Sequence, residues 1–215
     1  MATRPAVGTV SEALGSRIRA ERRLAGMTVR GLATRAGLSP SLISQVERGR
    51  ATPSVGTLWS IATELGLSVA DLFNDELEAY GEAPSAGNGR RRPTVPPIQP
   101  HESRKAITLE GGVSWERLTS ASDDEVDFIY CVYPVGAASC DEEALVHHSG
   151  REFGYVISGT LGVRIGFDEY VVRENDSISF DSSTPHRLWA IGDQPARAIW
   201  MVINRRGDPR ANSFP

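Results

Sequence analysis

At 215 residues, with 40% apolar side chains, 13 prolines and 21 glycines, the chain suits two small globular domains, and it holds no apolar run long enough to span a bilayer. That excludes a helical membrane protein. The net charge of −4 conceals a division, because residues 1–75 carry nine arginines against six acids and residues 105–215 carry ten bases against seventeen acids, so a polyanion would meet the front of the molecule and be repelled by its back.

In chain order, residues 1–10 are expected to be a flexible N-terminus; MATRPAVGTVSEALG has no apolar export core, so the expected location is the cytoplasm. Residues 11–76 show helical periods, with Leu14 and Ile18 one turn apart, then Leu32 and Ala33, then Leu58, Ile61, Ala62 and Leu65. Thr28 and Ser39 stand where N-caps are wanted, Pro40 takes a first helical position, Gly37 and Gly49 fall where helices end, and Thr52 before Pro53 repeats the start signal. Five helices are predicted, near 11–25, 28–36, 39–48, 53–65 and 68–74. Residues 77–103 read as an extended linker around GEAPSAGNGRRRPTVPPIQP, whose RRR is a solvated charge run. From 104 to 206 the pattern changes to eight or nine short runs rich in β-branched and aromatic residues, VDFIYCVYP, EFGYVISG and ARAIWMVI among them, which predicts an antiparallel sandwich or barrel. Residues 207–215 form a tail. The two cysteines, Cys131 and Cys140, supply neither a disulfide framework nor a CxxC metal site.

The segment TVRGLATRAGLSPSLISQVERG places a helix at Thr28, a turn at Ala36-Gly37-Leu38 and a second helix capped by Ser39. That is a helix-turn-helix, whose second helix enters the major groove by its N-terminal residues. Ile43 and Val46 have core spacing, and Leu42 lies at the edge toward the DNA side. Ser41, Ser44, Gln45 and Arg48 project outward, and a glutamine can read adenine through a bidentate pair. Arg30, Arg48 and Arg50 suit phosphates. With the caps Thr28 and Ser39 these residues make up the candidate interface with double-stranded DNA.

The run LATRAGLSPSLISQVERGRATPSVGTLWSIATELGLSVADLF resembles the xenobiotic-response-element (XRE) family of repressor-like domains over residues 11–75. The resemblance implies an internal ion pair between Arg22 and Glu47. It also implies a homodimer on a palindromic operator, with half-sites roughly 34 Å apart.

In the back half, HHSGREFGYVISGTLGVRIG followed by RENDSISFDSSTPHRL resembles the two halves of the cupin signature, which implies an all-β double-stranded β-helix, a jelly-roll barrel. In that family two histidines, a glutamate and a third histidine hold one metal. Here Val146 stands two residues before His148, where a ligand belongs; Ala190 replaces an asparagine, and Glu174-Asn175-Asp176 replaces a PxG turn. His148, Glu152 and His186 remain, a facial triad suited to one divalent ion, Fe2+, Zn2+ or Ni2+. The other reading of the same set is a metal-free cup whose histidines hydrogen-bond an organic ligand. Strand parity turns Glu152, Gly154 and Val156 one way. His147 is a solvent-facing neighbour, or replaces His148 if the loop shifts by one residue; Tyr130, Val156 and Leu188 complete the candidate ligand site.

An XRE domain joined to one small cupin resembles a known architecture of bacterial transcriptional regulators, in which the cupin is a sensor and dimerisation part. The expected function is therefore a DNA-binding regulator of the repressor kind whose cupin binds an unknown small effector, with a metal ion as an optional partner. The competing expectation is an enzyme, since the architecture and the His-x3-Glu and later His also resemble a mononuclear non-haem iron epoxidase acting on a phosphonate. The outward Ser41, Ser44 and Gln45 beside arginines, and a cup offering no proton donor beyond the triad, discriminate in favour of regulation.

Overall fold

The computed structural model describes residues 7–73, 96–123 and 125–203. The front half contains α1 (Val7–Leu24), α2 (Val29–Ala36), α3 (Pro40–Glu47) and α4 (Val55–Leu65). The Thr28 and Ser39 hydroxyls accept the amides of Gly31 and Leu42, and Gly37 ends α2 in the left-handed region at φ 67°. These contacts satisfy backbone groups that a helix end leaves orphaned. Leu14, Ile18, Leu32, Ile43, Val46, Leu58 and Ile61 form the apolar centre between the helices.

Three boundaries differ from the sequence expectation, the first being α1, which begins at Val7 and so takes in residues 7–10 of the stretch expected to be a flexible N-terminus. α4 starts at Val55, capped by Ser54 through the Thr57 amide, because buried Pro53 gives its carbonyl to the Glu110 amide of the back half. The fifth helix expected over 68–74 is a single 3-10 turn, Ala70–Phe73. Ser68 and Asp71 close that turn reciprocally, and the Ala70 amide leaves the helical direction to reach Asp127 Oδ1 at 2.9 Å.

The back half contains nine strands among the described residues: β1 (Ala106–Thr108), β2 (Ser114–Arg117), β3 (Val126–Tyr133), β4 (Arg151–Ser158), β5 (Thr160–Ile165), β6 (Asp168–Arg173), β7 (Ser177–Asp181), β8 (His186–Ala190) and β9 (Ala196–Ile203). They form a six-stranded sheet in the order β1-β2-β3-β9-β4-β7 and a three-stranded sheet in the order β6-β5-β8. Every pairing is antiparallel. Burial alternates along β3 and β9, so Ile129, Cys131, Tyr133, Ala198, Trp200 and Val202 face inward. Glycines allow two indoles to lie flat on the sheets: a Cβ on Gly154 would stand 2.1 Å from the Trp200 ring, and one on Gly162 2.1 Å from the Trp189 ring.

The halves are bonded to each other. Besides the Pro53–Glu110 and Ala70–Asp127 bonds, the Gly56 amide donates to the Ser139 carbonyl at 3.0 Å and Arg117 Nη1 donates to the Ala70 carbonyl. Residues 96–103 of the expected linker are described, including a 3-10 turn at His101–Ser103. The rest of that linker, with its RRR, lies outside the described residues, as do the expected tail and residues 1–6. No helix among the described residues is long and apolar enough to cross a membrane.

Arg22 and Glu47, each 7% exposed, form a two-pronged ion pair that ties α1 to α3, and Arg22 Nη1 also donates to the Met27 carbonyl at 2.7 Å. Removing one member strands the other charge in the core, at a cost of about 3–5 kcal/mol. Glu47→Ala is therefore expected to lower the urea midpoint of the helical signal at 222 nm, and an unchanged midpoint would refute a structural role for the pair.

Candidate functional site

His148, Glu152 and His186 converge inside the back half, all at 6% exposure or less. Glu152 is on β4, His186 opens β8 on the other sheet, and His148 is in the loop before β4, held by its amide bond to the Ser182 carbonyl. Val146, which stands where the cupin signature has a ligand, exchanges both backbone hydrogen bonds with His186. Glu152 Oε1 lies 3.0 Å from His148 Nε2 and 3.1 Å from His186 Nε2, while Glu152 Oε2 accepts the Trp200 indole N–H at 2.6 Å.

The outer nitrogens decide what the inner ones can do. His148 Nδ1 is 3.1 Å from the Ser149 carbonyl and His186 Nδ1 is 2.9 Å from the Thr184 carbonyl. A carbonyl accepts only, so each Nδ1 carries the proton and, in the neutral ring, each Nε2 presents a lone pair. Lone pairs then face the carboxylate oxygen at hydrogen-bond distance, and neither His148 Nε2 nor Glu152 Oε1 has a hydrogen-bond partner. Burial pushes the Glu152 carboxyl up, but the contacts and charge of the two histidines outweigh it and hold it well below the usual carboxylate range. Burial alone would lower His186; Glu152 raises it above its ordinary value. Such a cluster calls for a cation between its members, either a proton or a metal ion, and two imidazoles with a carboxylate fit a divalent transition ion.

The cup around the triad is lined by Trp115, Ile129, Cys131, Tyr133, Ser139, Val146, Leu188 and Trp200, and from the front half by Val55 and Trp59. Trp59 stacks on the His148 ring, with centroids 4.0 Å apart and planes 11° from parallel. Phe180 flanks His186 at 5.0 Å. Burial pushes the Cys131 thiol up to about 12, which keeps it a thiol at neutral pH.

Of the ligand-site residues expected from the sequence, Leu188 lines the cup. Val156 is fully buried on the same face of β4 as Glu152 but outside the lining. Tyr130 lies on the opposite face of β3, because parity gives the cup to its neighbours Ile129 and Cys131. His147 is exposed and lines a separate cleft between the halves. Val55, Trp59 and Cys131 were missed by sequence reasoning. For Cys131 the alternation of VDFIYCVY against Glu152 was a usable signal, whereas Val55 and Trp59 reach the cup only through the docking of one half on the other.

In the front half, Thr28, Arg30, Ser39, Ser41, Gln45, Arg48 and Arg50 are exposed and Ser44 is half-buried. Gln45 Nε2 donates to Ser41 Oγ at 3.3 Å, one turn apart on α3. Leu42 is half-buried against the core and lines the cleft between the halves. The exposed face of α3 thus carries the short polar side chains Ser41 and Gln45, with Arg48 and Arg50 just past its C-terminal end.

Helix-turn-helix geometry in front of a two-sheet cup with a buried His-Glu-His cluster defines a DNA-binding module fused to a β-sheet cup. Comparison with known proteins agrees. Residues 18–72 match the Helix-turn-helix family HTH_3, and residues 129–202 match the Cupin domain family Cupin_2. An uncharacterized HTH-type transcriptional regulator of Mycobacterium tuberculosis is 33% identical over 111 residues, 52% of this chain and 77% of its own length. The HTH-type transcriptional regulator PuuR of Escherichia coli is 22% identical over 173 residues, 80% of this chain and 84% of its own. A crystal structure of an HTH_3 family transcriptional regulator from Vibrio cholerae superposes with a TM-score of 0.65 at 17% identity, covering 92% of this chain and 98% of that one. The chain belongs to the helix-turn-helix-type transcriptional regulators, with a cupin domain in its C-terminal half.

The seat of Trp200 on Gly154 yields a test. Gly154→Ala forces the indole off the strand and pulls its N–H from Glu152, and overpacking of this kind costs about 1–3 kcal/mol. A lowered melting temperature with an altered near-UV circular dichroism band is expected. An unchanged band would show that the seat does not orient Trp200.

Proposed function

We propose that this regulator is an effector-responsive repressor that acts in the cytoplasm as a homodimer on a palindromic operator. The observation that carries the reading is the coexistence of an exposed Ser41/Gln45 face on α3 with a buried, cation-seeking cup in one chain. Gln45, Ser41 and Ser44 read base edges; Arg30, Arg48 and Arg50 grip phosphates; the amides and hydroxyls at Thr28 and Ser39 help set the register. The outer face of the six-stranded sheet supports a second copy as partner: Phe128, Phe153, Tyr155, Ile199 and Met201 line a shallow apolar depression, with Tyr155 44% exposed. Two copies place two α3 helices on one duplex, as a palindrome requires.

His148, Glu152 and His186 would hold one divalent ion, Fe2+, Zn2+ or Ni2+, which when bound supplies Lewis acidity and open positions for a small ligand. Trp200 orients the glutamate, and the Ser149 and Thr184 carbonyls orient the imidazoles. An effector that prefers one arrangement of the dimer by 1–3 kcal/mol shifts operator occupancy about five- to 150-fold. The oxygenase reading uses the same three donors, and oxygen uptake by the iron-loaded protein would favour it instead.

Band shifts with the promoter regions beside its own coding sequence are expected to give a complex of two chains per duplex. Gln45→Ala should reduce discrimination between operator and a base-substituted operator by about 1–3 kcal/mol, and Arg50→Ala should lessen the log-log salt slope by about 1 without changing sequence preference. No complex at any salt concentration, or one chain per duplex throughout, would overturn the reading of the front half.

For the cup, Glu152→Gln is expected to lower bound metal in elemental analysis of protein equilibrated with excess Zn2+ and then desalted. Equal metal in both proteins would assign His148 and His186 to an organic ligand instead.

A further inference from the structure

α4 belongs to the DNA-binding half, yet one of its faces closes the cup. Val55 and Trp59 line the cavity, and Trp59 lies flat on His148. With this wall in place, the space open to the centre of a water-sized sphere is only about 20 Å³. That admits one water or one ion and no organic molecule of ordinary effector size. Adjoining positions of the same helix, Gly56, Thr57 and Ser60, border the cleft between the halves, where the corresponding space is about 940 Å³. α4 thus walls a nearly filled cup with Val55 and Trp59 while its adjoining faces border open space.

The attachment of this wall is local. A Cβ on Gly56 would come within 2.7 Å of Val146 Cγ2 and 3.3 Å of Cys140 Cβ, and the Gly56 amide bonds the Ser139 carbonyl. Ser139 is in turn latched to β8, its amide to the Leu188 carbonyl and its hydroxyl accepting the Leu188 amide. On the far side, Glu64 of α4 pairs with Arg35 of α2 at 2.7 Å, so a shift of α4 is passed to the first helix of the DNA-reading pair.

We infer that α4 is the sensing element itself: any occupant of the cup larger than a metal ion and its water must displace the Trp59–Val55 wall, and this displacement repositions the helix-turn-helix. The inference rests on the proposed sensing role of the cup and adds which part of the chain reads it. A metal ion alone is accommodated with the wall shut. A ligand that adds bulk at the metal pushes α4 into the cleft.

The test uses the full chain with Co2+ as metal and imidazole as an added metal ligand of known size, read by two methods that need no DNA. Hydrogen exchange followed by mass spectrometry covers the α4 peptides, and iodoacetamide labelling of Cys131, localised by peptide mass spectrometry, reports opening of the cup. Co2+ alone should leave both unchanged. Co2+ with imidazole should speed exchange across Val55–Leu65 and raise Cys131 labelling by about tenfold or more. Trp59→Ala and, independently, Gly56→Val should raise labelling comparably without any metal, while Ile18→Val, a core change remote from the cup, should not.

If imidazole shifts the cobalt absorption spectrum but neither exchange nor labelling changes, the inference is overturned. It is equally overturned if Trp59→Ala and Gly56→Val label Cys131 at the wild-type rate. Failure of Co2+ to bind would remove the metal from the proposed function, and the metal-free comparison of these variants would still decide whether α4 is the wall.

Discussion

A buried carboxylate has to be answered from every side, and Glu152, 3% exposed, sets the terms for the back half of this molecule. One oxygen is answered by an indole N–H, which requires Trp200 to lie across Gly154, the residue opposite it on the neighbouring strand. The other oxygen faces two imidazoles whose protons are already given to main-chain carbonyls. Desolvation penalises an ion left alone here, so the cluster keeps its charge only in company with a positive partner. The cluster joins β4 and β9 of one sheet to β8 of the other and to the loop carrying His148.

The same cluster joins the two halves of the chain. His148 has Glu152 at one edge and the face of Trp59 on its ring, so the contact that positions this imidazole also docks the helical half. Val146, in the place where the cupin signature has a further ligand, bridges His186 through its backbone and meets Gly56 of α4 through its side chain. What reads as the loss of a ligand in the sequence is, in space, the seat of a helix. The bonds Gly56–Ser139, Ala70–Asp127 and Arg117–Ala70 spread this docking along the front half instead of leaving it to the linker. The two modules therefore share a wall, made by Val55 and Trp59 of α4.

Much of this was legible residue by residue where the deciding interaction is local. Thr28, Ser39, Pro40 and Gly37 mark helix ends through bonds spanning a few residues, and each fell where the structure has it. Alternation in VDFIYCVY and ARAIWMVI announced strands with one buried face, and the His-x3-Glu spacing with a later His announced the cluster. Errors arose where a distant partner outbid a local rule. Thr52 lost its capping role because the Pro53 carbonyl is committed to Glu110, and among the described residues the helix expected over 68–74 gives only the 3-10 turn Ala70–Phe73. Tyr130, expected in the ligand site, is outside the cup because β3 presents Ile129 and Cys131 to it.

The sequence by itself determined the two kinds of architecture and the helix-turn-helix with its outward Ser41 and Gln45, since periodicity and capping are properties of neighbours along the chain, and the resemblance to the cupin signature marked the three cluster residues. Only the tertiary structure decided which face of each strand looks into the cup, which nitrogen of each histidine points at Glu152, and that Trp59 and Val55 of the front half close it. Those outcomes depend on pairing register and on the docking of surfaces far apart in sequence, where burial and hydrogen-bond satisfaction are settled jointly by both partners.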